Sequence, residues 1–190
     1  MAANILAAVP PADILARERS MRFQERRSGD TADVPPRTRT FAAWWARIDE
    51  ASTDESSTGR WTRRLVRDVE AWCSRKHGEL YFHLTQLLSG HGCFGVYLRK
   101  IGKEETDVCH HCHLVADSAE HTLMKCVAWD EDRRQLQRVI GNTVTVENMV
   151  PALLHSSESW QAVKEFTRSV MSTKEEAERS RERAGRPLGR

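Results

Sequence analysis

The sequence predicts a mainly α protein: a small helical domain with an embedded CCHC zinc knuckle and a charged C-terminal tail that is disordered or frayed. Three observations point there. Apolar residues recur at helical spacing in several segments, most regularly at Trp61, Leu65, Val69 and Trp72. Cys109, Cys112, His121 and Cys126 fall in a C-x2-C-x8-H-x4-C pattern, which has metal-ligand spacing. From Ser172 onward almost no residue is apolar, so that stretch has little with which to build a core.

Taken in order, the first predicted helix runs from about Pro11 to Arg27. Pro11 suits a first helical position, and Ile14, Leu15, Met21 and Phe23 give an imperfect apolar stripe. Ser28 to Thr40 is a loop, because Gly29 and the Pro35–Pro36 pair do not continue a helix. A second helix covers Phe41 to Glu50, with Phe41, Trp44, Trp45 and Ile48 spaced for one buried face, and Ser52 to Gly59 breaks it. The Trp61–Trp72 stripe is the third helix, flanked by Arg60, Arg63, Arg64 and Arg67 and stopped near Gly78. Tyr81 to Leu88 reads as a buried short helix, with a strand as the alternative, and the glycines of Ser89–Gly95 call for a tight turn. Asp130 is placed to cap a helix through Ile140 with Leu136, Val139 and Ile140 inward. Thr145 is placed to cap another towards His155. The last helix begins near Ser157 and buries Trp160, Val163, Phe166, Val170 and Met171, then continues as a solvated, fraying extension. This divides the chain into N-terminal helices and linker (1–58), a basic helical segment (59–106), the knuckle (107–129), C-terminal helices (130–171) and the tail (172–190).

Composition narrows the function classes. Leu, Ile, Val and Phe make up one-fifth of the 190 residues and charged residues 29%, at the border where part of a chain stays unpacked. No apolar run approaches the roughly 20 residues that span a bilayer, and the apolar opening lacks the basic flank of a secretory signal. Five cysteines, three of them crowded beside four histidines, argue against a secreted disulfide scaffold and for a metal site in a reducing compartment.

Two cysteines three apart let one tight turn aim both sulfurs at one ion, while His121 and Cys126 supply the other tetrahedral corners. Three sulfurs and one imidazole favour one zinc ion, Zn2+, and four protein ligands leave no position for an activated water, so the site is structural. His121 and Cys126 lie five apart, about 140° around a regular helix, so the helix must start near His121 or loosen before Cys126. His110, His111 and His113 compete for ligation, and His113 is turned away by following Cys112 directly.

Charge is segregated. Between Arg60 and Lys103 there are nine basic residues against three acidic, a local net of +6; between Glu104 and Val150 nine acidic against four basic, a local net of −5. Basic side chains neutralise phosphates and release counterions, and aromatic faces stack on unpaired bases. Arg60, Arg63, Arg64, Arg67, Arg75, Lys76, Arg99, Lys100 and Lys103 are therefore the candidate contacts to RNA or DNA. The alternative is an ordinary solvated helix face, or a basic half docked on the acidic one. No Ser/His/Asp arrangement and no phosphate-binding glycine loop is visible. Asp130 and Asp132 suit a helix first turn better than metal catalysis. On its own the chain does not read as an enzyme.

The ordered run Leu84–Gly95 (LTQLLSGHGCFG) with Tyr97-Leu98 resembles the C-terminal region of arthropod non-LTR (LINE-type) retrotransposon Pol proteins, reverse transcriptase polyproteins of the clade that includes elements inserting into ribosomal RNA genes. Gly59–Thr62, Trp72 and His77-Gly78 before it are similar as well. So are Ala119–Leu123, Cys126 and Ala128-Trp129 after it, and Pro10-Pro11, Leu15-Ala16 and Glu18-Arg19 near the start. A Pro-Trp usual in the family is replaced by Ala128-Trp129. The resemblance implies a parent that nicks target DNA and primes cDNA synthesis from the nick. Its RNA-directed DNA polymerase and endonuclease would lie upstream as partners of this segment, and neither catalytic core falls within these residues. It also implies that Cys109, Cys112, His121 and Cys126 are the knuckle ligands, that residues 1–58 follow the polymerase, and that the protein acts in the nucleus. The alternatives are a zinc-stapled structural module docking on that polymerase, or an inactive truncated copy.

Overall fold

A computed structural model describes residues 2–29, 37–53 and 58–185. Most of the loop expected over Ser28–Thr40, the centre of the break at Ser52–Gly59 and the last five residues of the tail lie outside the described residues. The chain is mainly helical, with no strand among the described residues, and forms two compact units, Met1–Arg75 and Lys76–Arg190. No helix among them is long and apolar enough to cross a membrane.

The first unit holds α1 (Ala2–Leu6), α2 (Ala12–Ser28), α3 (Thr38–Thr53), α4 (Arg60–Leu65) and α5 (Val69–Ser74). Helix α1 has no counterpart in the sequence reading, yet it buries Ile5 and Leu6. Gly59 fits beside it with a φ of 78°, where a Cβ would come within 2.7 Å of the Ala2 methyl. Helices α2 and α3 run antiparallel and are tied by polar pairs: Asp13 with Arg47, Glu18 with Thr40 and Glu25 with Arg39. That explains why the expected apolar stripe of α2 is not used as such. Only Ile14 is buried, Met21 is exposed, and Phe23, nine residues on and half a turn around, faces solvent. In α3, Trp44 and Ile48 are buried four residues apart, whereas Trp45, about 100° around the helix, is 42% exposed.

The single helix expected through Trp61–Trp72 is two. Leu65 and Val66 are consecutive and both buried, and Val66 leaves the helix with a ψ of 86°. The backbone extends at Val66 and restarts at Asp68, whose carboxylate accepts the Ala71 N–H at 2.8 Å as the N-cap of α5.

The second unit holds α6 (Phe82–Ser89), α7 (Gly95–Lys100), α8 (Ala119–Met124), a 3-10 turn (Val127–Trp129), α9 (Asp130–Ile140), α10 (Met149–His155) and α11 (Ser157–Gly185). The 29-residue α11 is the spine, with α6, α9 and α10 packed on it. It buries Trp160, Val163, Phe166, Val170 and Met171 as the spacing predicts. Helix α6 confirms the short apolar helix and buries Leu84, Leu87 and Leu88. In α9 only Leu136 of the three expected residues is buried, and Val139 is exposed. Asp130 opens that helix from within and pairs with Arg133 rather than capping it. Helix α10 starts three residues later than expected, because Pro151 is tolerated only in a first turn. Thr145 and Asn148 instead close a reciprocal hydrogen-bonded turn ahead of it.

Gly78 shows how tightly the spine is packed. Its φ is 82°, and a Cβ there would lie 2.1 Å from the Trp160 ring. Gly78→Ala is expected to combine left-handed backbone strain with overpacking and to destabilise the second unit by about 2 kcal/mol or more. The check is the denaturant midpoint followed by tryptophan fluorescence.

Candidate metal centre

The cysteine–histidine segment is built as a loop that returns on itself. Asp107 and Asp117 are joined by a 2.7 Å backbone hydrogen bond, Val108 bridges to Ala116, and the Cys109 N–H donates to the Val115 carbonyl at 2.8 Å. Between those rungs the chain turns sharply, and His113 takes a left-handed φ of 59°. Ser118 then caps α8 by accepting the His121 N–H at 3.0 Å, which sets the histidine in the first turn of a new helix. Helix α8 ends at Met124, and the Cys126 N–H reaches back to the His121 carbonyl at 2.8 Å. Helix α8 thus both starts near His121 and ends before Cys126, the two alternatives that the five-residue spacing left open.

These turns bring Cys109, Cys112, His121 and Cys126 together, with one ligand atom from each lying within 4.8 Å of all the others. Cys109 Sγ and Cys126 Sγ are 3.9 Å apart, and Cys112 Sγ is 3.3 Å from His121 Nε2. A tetrahedral ion with metal–sulfur bonds of about 2.3 Å needs sulfurs roughly 3.8 Å apart, so the donor set fits one such ion. The other three histidines stay outside the cluster. His111 lies against Trp129 with ring centroids 4.7 Å apart, His110 sits 3.6 Å from the Glu104 carboxylate, and His113 is exposed.

The electrostatics suit a metal-ligand set. Burial pushes the Cys126 thiol up to about 12 and raises that of Cys109, against the backbone N–H groups directed at both sulfurs. At Cys112 burial is outweighed by the N–H groups of Leu114 and Val115 and the neighbouring thiols, and the thiol falls below its usual value. Burial lowers His121 too, so its imidazole is neutral and able to donate a lone pair.

Residues that the motif does not contain hold this loop in place. Asp117 and Lys174 are both almost fully buried, and the Lys174 ammonium lies 2.8 and 2.7 Å from the two Asp117 oxygens. The same carboxylate accepts the Gly95 N–H at 3.0 Å and the Thr122 hydroxyl at 3.1 Å. Gly95 is needed there, since a Cβ would meet the Asp107 carbonyl oxygen at 2.8 Å. Arg133, also buried, donates to the Leu123 and Cys126 carbonyls at 2.9 and 2.8 Å and closes the end of α8. Ser118 could have been found as a cap from sequence. Asp117, Arg133 and Lys174 carry no local signal.

The nine basic candidates divide. Arg60, Arg63, Arg64, Arg67 and Arg75 belong to the first unit, and Lys76, Arg99, Lys100 and Lys103 to the second. Arg63 departs from its expected role. It is buried, and its guanidinium donates to the Thr58 and Ala51 carbonyls at 2.7 and 3.1 Å, closing the end of α3 instead of being offered to a phosphate. Arg75 stacks on Trp72 at 4.3 Å and donates to its carbonyl. Arg99 pairs with Asp107 at 3.0 Å, and Lys103 with Glu178 and Glu182 on α11. The charged extension of α11 thus contributes acidic partners to the basic segment, and Arg181 reaches Glu104 at 2.9 Å.

Over 124 residues the chain is 26% identical to a Retrovirus-related Pol polyprotein from type-1 retrotransposable element R1 2 of Nasonia vitripennis. The match covers 65% of this chain and spans 30% of that relative's length. No family model and no solved structure matches the chain.

Two outcomes follow from the site. Lys174→Met leaves the Asp117 carboxylate buried without its partner and is expected to destabilise the second unit by about 3–5 kcal/mol. Lys174→Met with Asp117→Asn should recover part of that loss, as read by denaturant unfolding. Because the Cys109 and Cys126 thiols are raised, they are protonated in the metal-free protein at neutral pH. Metal uptake must then release at least two protons, and affinity should climb by about two decades or more per pH unit between roughly pH 6 and 8. Calorimetry in buffers of different ionisation enthalpy checks both.

Proposed function

We propose that this chain is the zinc-knuckle region of a non-LTR retrotransposon Pol polyprotein, of the clade that inserts into ribosomal RNA genes, and that it binds template RNA or target DNA in support of target-primed reverse transcription. The observation that carries the reading is the closed Cys3His cluster, set in a chain similar to an R1 Pol polyprotein. Three thiolates and one imidazole are a zinc donor set, and with all four corners filled by protein the ion staples the loop rather than activating water. Zinc would then lock a loop whose backbone rungs already gather the ligands. Arg60, Arg64, Arg67, Lys76 and Lys100 are exposed and supply positive charge for phosphates. The polymerase and endonuclease chemistry belongs to the parent's upstream domains, with which this region would work in the nucleus.

A second reading has its own support. Val108, Leu114, Val115 and Val127 are exposed, and each lies within three residues of a metal ligand. An apolar collar of that kind suits a zinc-stapled module docked on the upstream polymerase.

Purified protein is expected to carry one zinc per chain, and Cys126→Ser to lose it, as measured by elemental analysis. The zinc-loaded chain should bind RNA with an affinity that falls steeply with salt, and chelation should weaken it at least tenfold. Zinc without any salt-dependent RNA or DNA binding would favour the docking module.

A further inference from the structure

The stretch after Met171 reads as a solvated extension, yet its side chains reach the segment that carries two of the metal ligands. Lys174 meets Asp117, Arg181 meets Glu104, and Glu178 and Glu182 meet Lys103. These contacts are unequal. The Lys103 side chain is 52% exposed and that of Arg181 31%, and ion pairs open to solvent contribute little. The side chains of Lys174 and Asp117 are 1% and 4% exposed, so neither charge can exchange its partner for water. The Lys174 ammonium also lies 5.4 Å from the centroid of the buried Phe94 ring.

Asp117 stands one residue before the Ser118 cap and four before His121. Its two oxygens have separate tasks. Oδ2 accepts the Gly95 N–H, Oδ1 accepts the Thr122 hydroxyl, and the Lys174 ammonium bridges both. Its own backbone N–H closes the rung to Asp107, two residues before Cys109. One residue therefore touches both halves of the donor set: the loop with Cys109 and Cys112, and the helical turn with His121. Whatever fixes Asp117 fixes both, and Lys174 holds it from 57 residues away.

We infer that Lys174 is a positioning residue of the metal centre: acting through Asp117, it sets the His121 turn against the cysteine loop and couples ion binding to the seating of residues 172–185. Such coupling is reciprocal. An ion that binds more tightly when the far half of α11 is seated must hold it seated by the same factor. A pair that only added stability would protect the second unit as a whole and favour no segment. The inference rests on the metal reading above and uses nothing of the nucleic-acid reading.

The test uses the full chain, with zinc affinity read by competition against a chromophoric chelator and amide hydrogen exchange followed with and without zinc. Lys174→Met with Asp117→Asn removes both charges, so no unpaired charge is left buried. An asparagine has one acceptor oxygen where the carboxylate uses two, so Gly95 or Thr122 loses its bond as α11 loses its tether. Zinc affinity should fall about tenfold or more, within the roughly 5- to 150-fold of typical coupling between sites. Gly78→Ala, which strains the same unit at Trp160 instead, should change zinc affinity by less than about twofold, as expected of an independent site. In the wild type, zinc should slow exchange at residues 172–185 by the factor that the double variant loses in affinity, and slow α10 less. Equal loss of affinity in Gly78→Ala and the double variant overturns this inference and leaves the metal reading standing. So does zinc that slows residues 172–185 no more than α10, a comparison on the wild type that decides even where the double variant fails to fold. A wild-type chain that takes up no zinc overturns the metal reading, and this inference with it.

Discussion

The second unit is organised around a charge that cannot reach water. The Asp117 carboxylate sits between the loop carrying Cys109 and Cys112 and the helix carrying His121, and it collects four donors: two contacts from the Lys174 ammonium, the Gly95 N–H and the Thr122 hydroxyl. Burying two opposite charges brings little net stability by itself, because desolvation offsets most of their attraction. What it supplies is specificity. An unpaired carboxylate here would be so unfavourable that the start of α7, the returning loop, α8 and the far half of α11 must be placed together. Gly95 has no side chain for the same reason, since its backbone must approach both Asp107 and Asp117.

The metal ligands depend on that frame and complete it. The four donor atoms are gathered by backbone rungs at Asp107–Asp117 and Cys109–Val115, by the Ser118 cap and by Arg133 holding the carbonyls at the end of α8. Each is an ordinary way of satisfying a polar backbone group. A tetrahedral ion bound there would join three sulfurs, two of which, at Cys109 and Cys126, burial otherwise keeps protonated. Metal and protein would thus solve each other's problem: the loop leaves Val108, Leu114 and Val115 exposed and does not close on hydrophobic burial, and the ion requires ligands already near its corners.

The basic segment shows how net charge in a sequence differs from charge offered at a surface. Nine cations were counted along one stretch, yet Arg63 is consumed by two carbonyls and Lys103 by two glutamates of α11. Arg60, Arg64 and Arg67 stay exposed and line a groove with Trp45, Ile48 and Asp49.

The sequence by itself determined the helical class, the four clustered ligands and the buried face of α11, because each is written in a local period or a short spacing. It even required the helix to start near His121 or to loosen before Cys126. Tertiary structure alone decided the rest. The break at Val66, where ψ is 86°, is announced by no proline or glycine in the stripe. Val139 and Met21 match a helical period but have no neighbour to cover them. Trp45 differs from Trp44 only by where the rest of the unit lies. Lys174 is the clearest case. In a run of charges it reads as solvent-facing, and only a carboxylate 57 residues away in sequence makes it a core residue. Local patterns encode which surface of an element is apolar; which polar side chains meet in the interior depends on contacts between distant segments, and single-sequence periodicity holds no record of those.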